Sequence, residues 1–285
     1  MKRRRMLDRL FTVAMAAFGL ATLCALFTVV GIVVWRGAGA ISPSFLLDEL
    51  RGAGADGGVF YHIAGTAILV ATAALVALPI SIAIGLMSHG YLGDGRGRRA
   101  IEAVLHALNA VPSIVFGLAG LALFVNTFRW QKSWLAGGIV LGLMIVPTVA
   151  VAFLEKLRAI PAHTIEAASG LGLRRSMIST AVLLPQAASG LVTGLLLGLA
   201  RAAGETAPIM FTAVIFSGAT IPHGIDDSPV LALPYHIFVL AQDSFDPAAL
   251  QKAWGAAAVL VALVFGLAIA ALPLRLRIHE EAKRV

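Results

Sequence analysis

Arg201 and Glu205 stand four residues apart in an apolar stretch, Leu199-Ala200-Arg201-Ala202-Ala203-Gly204-Glu205-Thr206-Ala207-Pro208. At that spacing two side chains share one helix face. A guanidinium presents a planar fork of donors matched to the oxygens of phosphate or carboxylate. An Arg at the centre of a membrane helix costs at least ~2.5–3.5 kcal/mol, so it pairs and faces the bundle or a wet cavity. Glu205 is the partner within reach. The pair either braces the helix or leaves the remaining guanidinium donors for an oxyanion, with Glu205 offsetting the charge.

A second polar stretch runs Thr164-Ile165-Glu166-Ala167-Ala168-Ser169-Gly170-Leu171-Gly172, then through Arg174 and Arg175 to Val182-Leu183-Leu184-Pro185. Thr164 is expected to cap a short helix with Glu166 in its first turn, where an acid suits the helix dipole. Ala167 and Ala168 allow another protein to approach closely, and Gly172 can end the helix in the left-handed conformation. A helix this short and small-sided buries little, so it reads as a docking surface. Other chemistry finds no support. Cys24 is the one cysteine and cannot form an internal disulfide. The seven histidines lack metal-ligand spacing, and no Ser/His/Asp set suggests hydrolysis. The sequence contains no Gly-x-x-x-x-Gly-Lys-Ser/Thr with which to bind ATP. The chain is therefore expected to have no catalytic residue, metal or cofactor of its own.

The elements that carry these groups must be membrane helices. Hydrophobic residues make up 59% and charged residues 13%, against roughly 45–50% and ~25% in soluble domains. A soluble fold of 285 residues could not hide that much apolar surface. Six runs are long enough to span ~30 Å of hydrocarbon at 1.5 Å per residue: Phe11–Trp35, Thr66–Met87, Ile101–Val125, Trp134–Leu154, Ala188–Phe216 and Trp254–Leu274. The fifth is too long for one upright span, and Pro208 offers a break. Pro79, Pro112, Pro147 and Pro273 lie in or at the ends of spans, where neighbouring helices can re-satisfy freed carbonyls. Gly190, Gly194 and Gly198 form a small-residue row for close helix crossing, within the chain rather than between subunits. His106 and Asn109 read as satisfied helix-packing groups. The first run is about twice the length of a signal-peptide core and reads as a retained anchor.

Sixteen of the 22 Lys and Arg fall in the N-terminal tail, the loops after spans two and four, and the C-terminal tail. Five lie on the other side: Arg36, Arg51, Arg129, Lys132 and Lys252. Cytoplasmic loops carry the positive excess, so both termini are expected in the cytoplasm. The basic residues are spread between apolar runs, which does not suit nucleic-acid binding. Two long outer segments, from Arg36 to Gly65 and from Gly218 to Ala253, carry acid: Asp48, Glu49 and Asp56, then Asp226, Asp227, Asp243 and Asp246. They are solvated connections or docks for an external partner. Ala232–Leu240 is expected to be a short interfacial helix with aromatics at headgroup level.

The stretch from Glu166 to Pro185 resembles the EAA loop of ABC importer permeases, with Val182 where Ile is more usual. Val111-Pro112-Ser113-Ile114-Val115-Phe116-Gly117-Leu118 and Gly204-Glu205-Thr206-Ala207-Pro208 are similar to the phosphate permeases of the Pst system, the PstA type in particular. The resemblance implies an all-α polytopic membrane protein with six transmembrane helices and the type I ABC importer permease fold. In it, residues 1–60 would hold the tail, first anchor and outer loop. Residues 61–275 would form the permease domain, with its coupling loop near 155–187, and 276–285 a short cytoplasmic tail. It further implies that Glu166, Ala167, Ala168, Gly172 and Pro185 couple to a separate ATPase, and that Arg201, Glu205 and Thr206 line the path of inorganic phosphate. The implied partners are a PstC-like sister permease, PstB-like ATPases that use the ATP, and a PstS-like external binding protein, at a bacterial inner membrane. A permease for phosphonate, sulfate or molybdate is the nearest alternative. An ion-coupled secondary transporter is more distant and would call for broken midplane helices.

Overall fold

The computed structural model describes residues 2–49, 57–92, 95–218, 221–225, 228–242 and 246–284, with side chains described between 8 and 273 of these. Arg51, Asp56, Asp226, Asp227 and Asp243, named above, lie outside the described residues. Among the described residues the chain is mainly helical, with an isolated parallel bridge between Val214 and Val230.

Helix α1 (Lys2–Ala38) is exposed along almost all its described length. It is fastened at its far end, where Arg36 lies 5.2 Å from the Trp254 ring and Gly37 lets the backbone reach Trp254 and Ala258. A short α2 (Pro43–Leu47) is capped by Ser42 and buries Phe45. Helix α3 (Phe60–Leu86) runs into a π turn, Met87–Tyr91. Helices α4 (Arg96–Ala110) and α5 (Ser113–Gly120, extended by a π turn to Thr127) follow, then α6 (Trp134–Arg158). Next come α7 (Ala162–Gly170), α8 (Arg175–Met177) with a π turn Ile178–Leu183, α9 (Leu184–Gly204) and α10 (Ala207–Thr212). The chain closes with α11 (Leu233–Gln242) and α12 (Pro247–Arg284).

Helix α6 is the hub. Ala136, Val140, Leu141, Met144, Ile145, Val149, Ala150, Phe153 and Leu157 are all buried, so it is apolar all round. Ser133 caps it, accepting from the Ala136 N–H at 3.2 Å. On one side Gly138 and Gly142 admit Thr72 and Val76 of α3. On the other, the expected glycine row of α9 packs within the chain. A Cβ on Gly190 would come 2.8 Å from the Ala152 carbonyl, one on Gly194 3.0 Å from the Val149 carbonyl, and one on Gly198 3.1 Å from the Ile145 side chain. Small residues let backbones meet where lipid supplies no hydrophobic drive.

Among the described residues, five helices are long and apolar enough to cross a membrane: Asp8–Ala38, Phe60–Tyr91, Trp134–Arg158, Arg175–Gly204 and Pro247–Pro273. The expected single span over 101–125 is instead a broken pair, α4 and α5, bent by 94°. Pro112 is the cause. It cannot donate to the Leu108 carbonyl and its ring crowds that turn; the Val111 N–H takes the carbonyl instead, at 3.2 Å. The expected short helix over 232–240 is present as α11, with one side packed into the bundle. In α11, Leu233, Pro234, His236 and Leu240 are buried, and the Leu233 N–H donates to the Thr66 hydroxyl of α3 at 2.9 Å. Asn109 accepts from the Thr148 hydroxyl of α6 at 3.1 Å, as a packing group should, whereas His106 is exposed.

Gly194→Val should destabilise the subunit by about 1–3 kcal/mol through overpacking against Val149 and Ala152. Gly266→Ala, where nothing lies within 4 Å, should not. Thermal unfolding of the two variants in detergent measures the difference.

Candidate functional site

Two sites sit at opposite ends of α9, roughly 30 Å apart for 21 residues at 1.5 Å rise. At its C-terminal end the helix stops at Gly204 and restarts at Ala207. Pro208 has no N–H for the Gly204 carbonyl, so the break falls one turn upstream of the proline. Arg201 therefore lies in the last turn of α9 rather than in mid-helix, where the C-terminal end of the dipole favours a cation. Its Nε donates to Glu205 Oε1 at 3.2 Å. The Arg201 side chain is 35% exposed and that of Glu205 18%. The guanidinium thus has donors left over for a second acceptor. Thr206 is half-buried at the start of α10, and its carbonyl accepts from the Met210 N–H at 3.0 Å.

The broken α4–α5 element supports this break. Helices α5 and α10 run side by side, because Gly117 lies against Ala207 and Pro208, and Gly120 against Thr212. A Cβ on Gly117 would come 3.0 Å from the Ala207 carbonyl. Lys132 then closes the far end of α10. Its Nζ donates to the Met210 carbonyl at 2.9 Å and to that of Val214 at 3.3 Å, satisfying carbonyls that the helix end leaves unpaired. Sequence reasoning counted Lys132 only as a loop charge. Its place next to Trp134 at the mouth of a span was the one signal available.

At the N-terminal end of α9, the segment expected to couple is built differently from expectation. Pro161, with fixed φ and an extended ψ of 140°, precedes α7, so the helix starts at Ala162. Thr164 lies inside the helix, its N–H donating to the Pro161 carbonyl at 3.1 Å, and it is not the cap. Glu166 falls in the second turn, so it gains nothing from the first-turn dipole. Glu166 and Ala167 are exposed, whereas Ala168 is 7% exposed and packs into the chain's own core. Of the two alanines, Ala167 alone faces outward. Gly172 has φ +76°, as expected. The Leu173 N–H reaches the Ala168 carbonyl and the Gly172 N–H that of Ser169, at 3.3 and 3.0 Å, the Schellman pattern of helix ends. That turn lifts Leu171, 81% exposed, to the tip of the segment. Sequence reasoning passed over Leu171, although an apolar residue between two glycines of a polar loop is a usable sign. Pro185 starts α9 and is exposed.

A bundle of long apolar helices broken at two prolines, with a half-satisfied Arg at one end of a long helix and an exposed stub helix at the other, fits a membrane permease. The chain belongs to the family of binding-protein-dependent transport system inner membrane components, whose model matches residues 77–277. Such permeases work with an ATPase and a substrate-binding protein. Among curated relatives, the phosphate transport system permease protein PstA 2 of Mycobacterium bovis is 34% identical, over 87% of this chain and 84% of its own. The probable phosphate transport system permease protein PstA of Methanocaldococcus jannaschii is 31% identical over 98% and 96%. The fold matches a subunit of the MetNI methionine ABC transporter in an inward-facing form, with TM-score 0.57, 18% identity and coverage of 78% and 94%. The all-helical type I importer permease fold is therefore present. Broken helices, expected above of a secondary transporter, occur here within that fold.

Gly172→Ala should weaken the end of α7 by about 1–2 kcal/mol, the penalty for a side chain in the left-handed region. Gly172→Asn should cost less. Transport-stimulated ATPase activity of the reconstituted transporter should fall in the order Gly, Asn, Ala. Equal activity in all three would show that the turn geometry is not used in coupling.

Proposed function

We propose that the chain is the PstA-type permease of a phosphate importer and passes inorganic phosphate inward beside a PstC-like sister subunit. The observation that carries this reading is similarity to PstA relatives over nearly the whole chain, 31% across 98% of it. The chemistry of the break supports it. Arg201 keeps donors for phosphate oxygens while Glu205 offsets its charge, so an anion is attracted and still released. Thr206 adds a hydroxyl beside the same break. PstS-like protein delivers phosphate from outside, and PstB-like ATPases bind ATP and close on the Glu166–Leu171 surface. Helix α9, gripped by α6, carries that movement as a rigid body to the break at Glu205. Glu166, Ala167, Gly172 and Pro185 serve the docking and its geometry, and Ala168 anchors the segment to its own bundle. The charge count supports a bacterial inner-membrane subunit with both termini in the cytoplasm.

In vesicles containing the assembled transporter, Arg201→Gln should lower phosphate uptake tenfold or more, the loss of a charge-assisted contact worth roughly 1.5–3 kcal/mol. Glu205→Gln should slow release instead. An Arg201→Gln, Glu205→Gln protein should regain stability yet stay inactive; full uptake by it would leave the pair a brace only. Uptake of sulfate or molybdate in place of phosphate by the unaltered protein would assign a different oxyanion. Reporters fused after Arg99 or Arg175 should lie in the cytoplasm, and one after Pro229 outside; the reverse would invert the topology.

A further inference from the structure

Behind the coupling segment lies a cavity of about 460 Å³ that none of these roles uses. The end of α3 supplies His89 and Tyr91 to its wall, α7 supplies Ile165 and Ser169, and the stretch leading into α9 supplies Arg175 and Ser179. No carboxylate stands among the described lining residues. Ser169 is occupied, its hydroxyl donating to the Ile165 carbonyl at 2.8 Å. Ser179 is not. It is 3% exposed and its hydroxyl has no hydrogen-bond partner. It sits against Gly90, where a Cβ would come 2.7 Å from Ser179 Oγ, so the glycine makes room for it. Buried hydroxyls are costly to leave unpaired.

A second basic cavity, of about 330 Å³ beside Arg98, Arg99 and Arg158, differs in one respect. Glu102 already lies among its guanidiniums, 3.0 Å from Arg98 Nε and paired with Arg158. The cavity behind α7 has the cation and the unpaired donor, with no carboxylate among its described lining residues.

We propose that this cavity binds a phosphate-type oxyanion, either inorganic phosphate or the phosphate of an anionic lipid headgroup. Arg175 supplies charge and a donor fork, and the hydroxyls of Ser179 and Tyr91 supply further hydrogen bonds. A bound oxyanion ties α7 to the end of α3. On the coupling reading above, on which this consequence rests, the tie restrains the stub helix, so phosphate gathering at that end slows the transporter.

The test uses the assembled transporter in a maltoside detergent free of phosphate, without ATP, and follows hydrogen exchange of amides 162–183. Inorganic phosphate should slow exchange there. Arg175→Gln should raise the phosphate concentration needed by about tenfold or more. Arg201→Gln should leave that concentration unchanged, which separates this site from the transport path. If phosphatidylglycerol, and not free phosphate, gives the protection and Arg175→Gln removes it, the headgroup is the source. Protection by neither, or protection that survives an Arg175→Gln, Ser179→Ala protein, overturns the proposal. These readouts need no hydrolysis, so they stand apart from the Gly172 series. Phosphate inhibition of ATPase activity, each variant scaled to its own phosphate-free rate, then tests the restraint.

Discussion

The close crossing of α9 on α6 holds the rest of the molecule in place. Lipid gives two apolar helices little reason to associate, so contact depends on how near their backbones can come. Gly190, Gly194 and Gly198 bring α9 against Ile145, Val149 and Ala152 along three turns. Because α6 is also buried against α3, the crossing ties α9 to the centre of the bundle. Both candidate sites hang from its two ends. A loose α9 would leave the break at Glu205 and the stub at Glu166 without a common frame.

The two proline breaks follow from the same solvent. Backbone groups freed inside a membrane need new partners within the protein. At Pro112 the Val111 N–H takes over the Leu108 carbonyl, and at the break before Pro208 the Glu205 N–H reaches the Ala202 carbonyl at 3.3 Å. The breaks thereby become stable features rather than defects. They also leave Arg201 in a last helical turn, where the dipole and Glu205 both favour its charge. A guanidinium so placed needs no third partner to remain folded, so its remaining donors stay available.

The segment around α7 shows how few residues are needed to present a surface. Pro161 starts the helix, Gly172 ends it, and Ala168 pins its inner side to the core. What remains outward is a small acidic and apolar patch of Glu166, Ala167 and Leu171. The same brevity leaves space behind the helix, where Ser179 and Gly90 meet in the cavity beside Arg175.

The sequence by itself determined the membrane class, the long apolar helices, the glycine row and the left-handed turn at Gly172. Each depends on composition or on spacing within one helix, and both are local. It also paired Arg201 with Glu205, since four residues is one turn. The tertiary structure decided what neighbours distant in sequence impose. Span three bends by 94° because α5 packs beside α10 once Pro112 releases it. Helix α11 turns inward because Thr66, 167 residues away, accepts its first N–H. Ala168 faces the core and Ala167 does not, although the two are chemically identical, because a helix has one covered side and the sequence of that helix alone does not say which neighbour covers it. Lys132 became a helix cap for the same reason: its partners, Met210 and Val214, stand 78 and 82 residues along the chain.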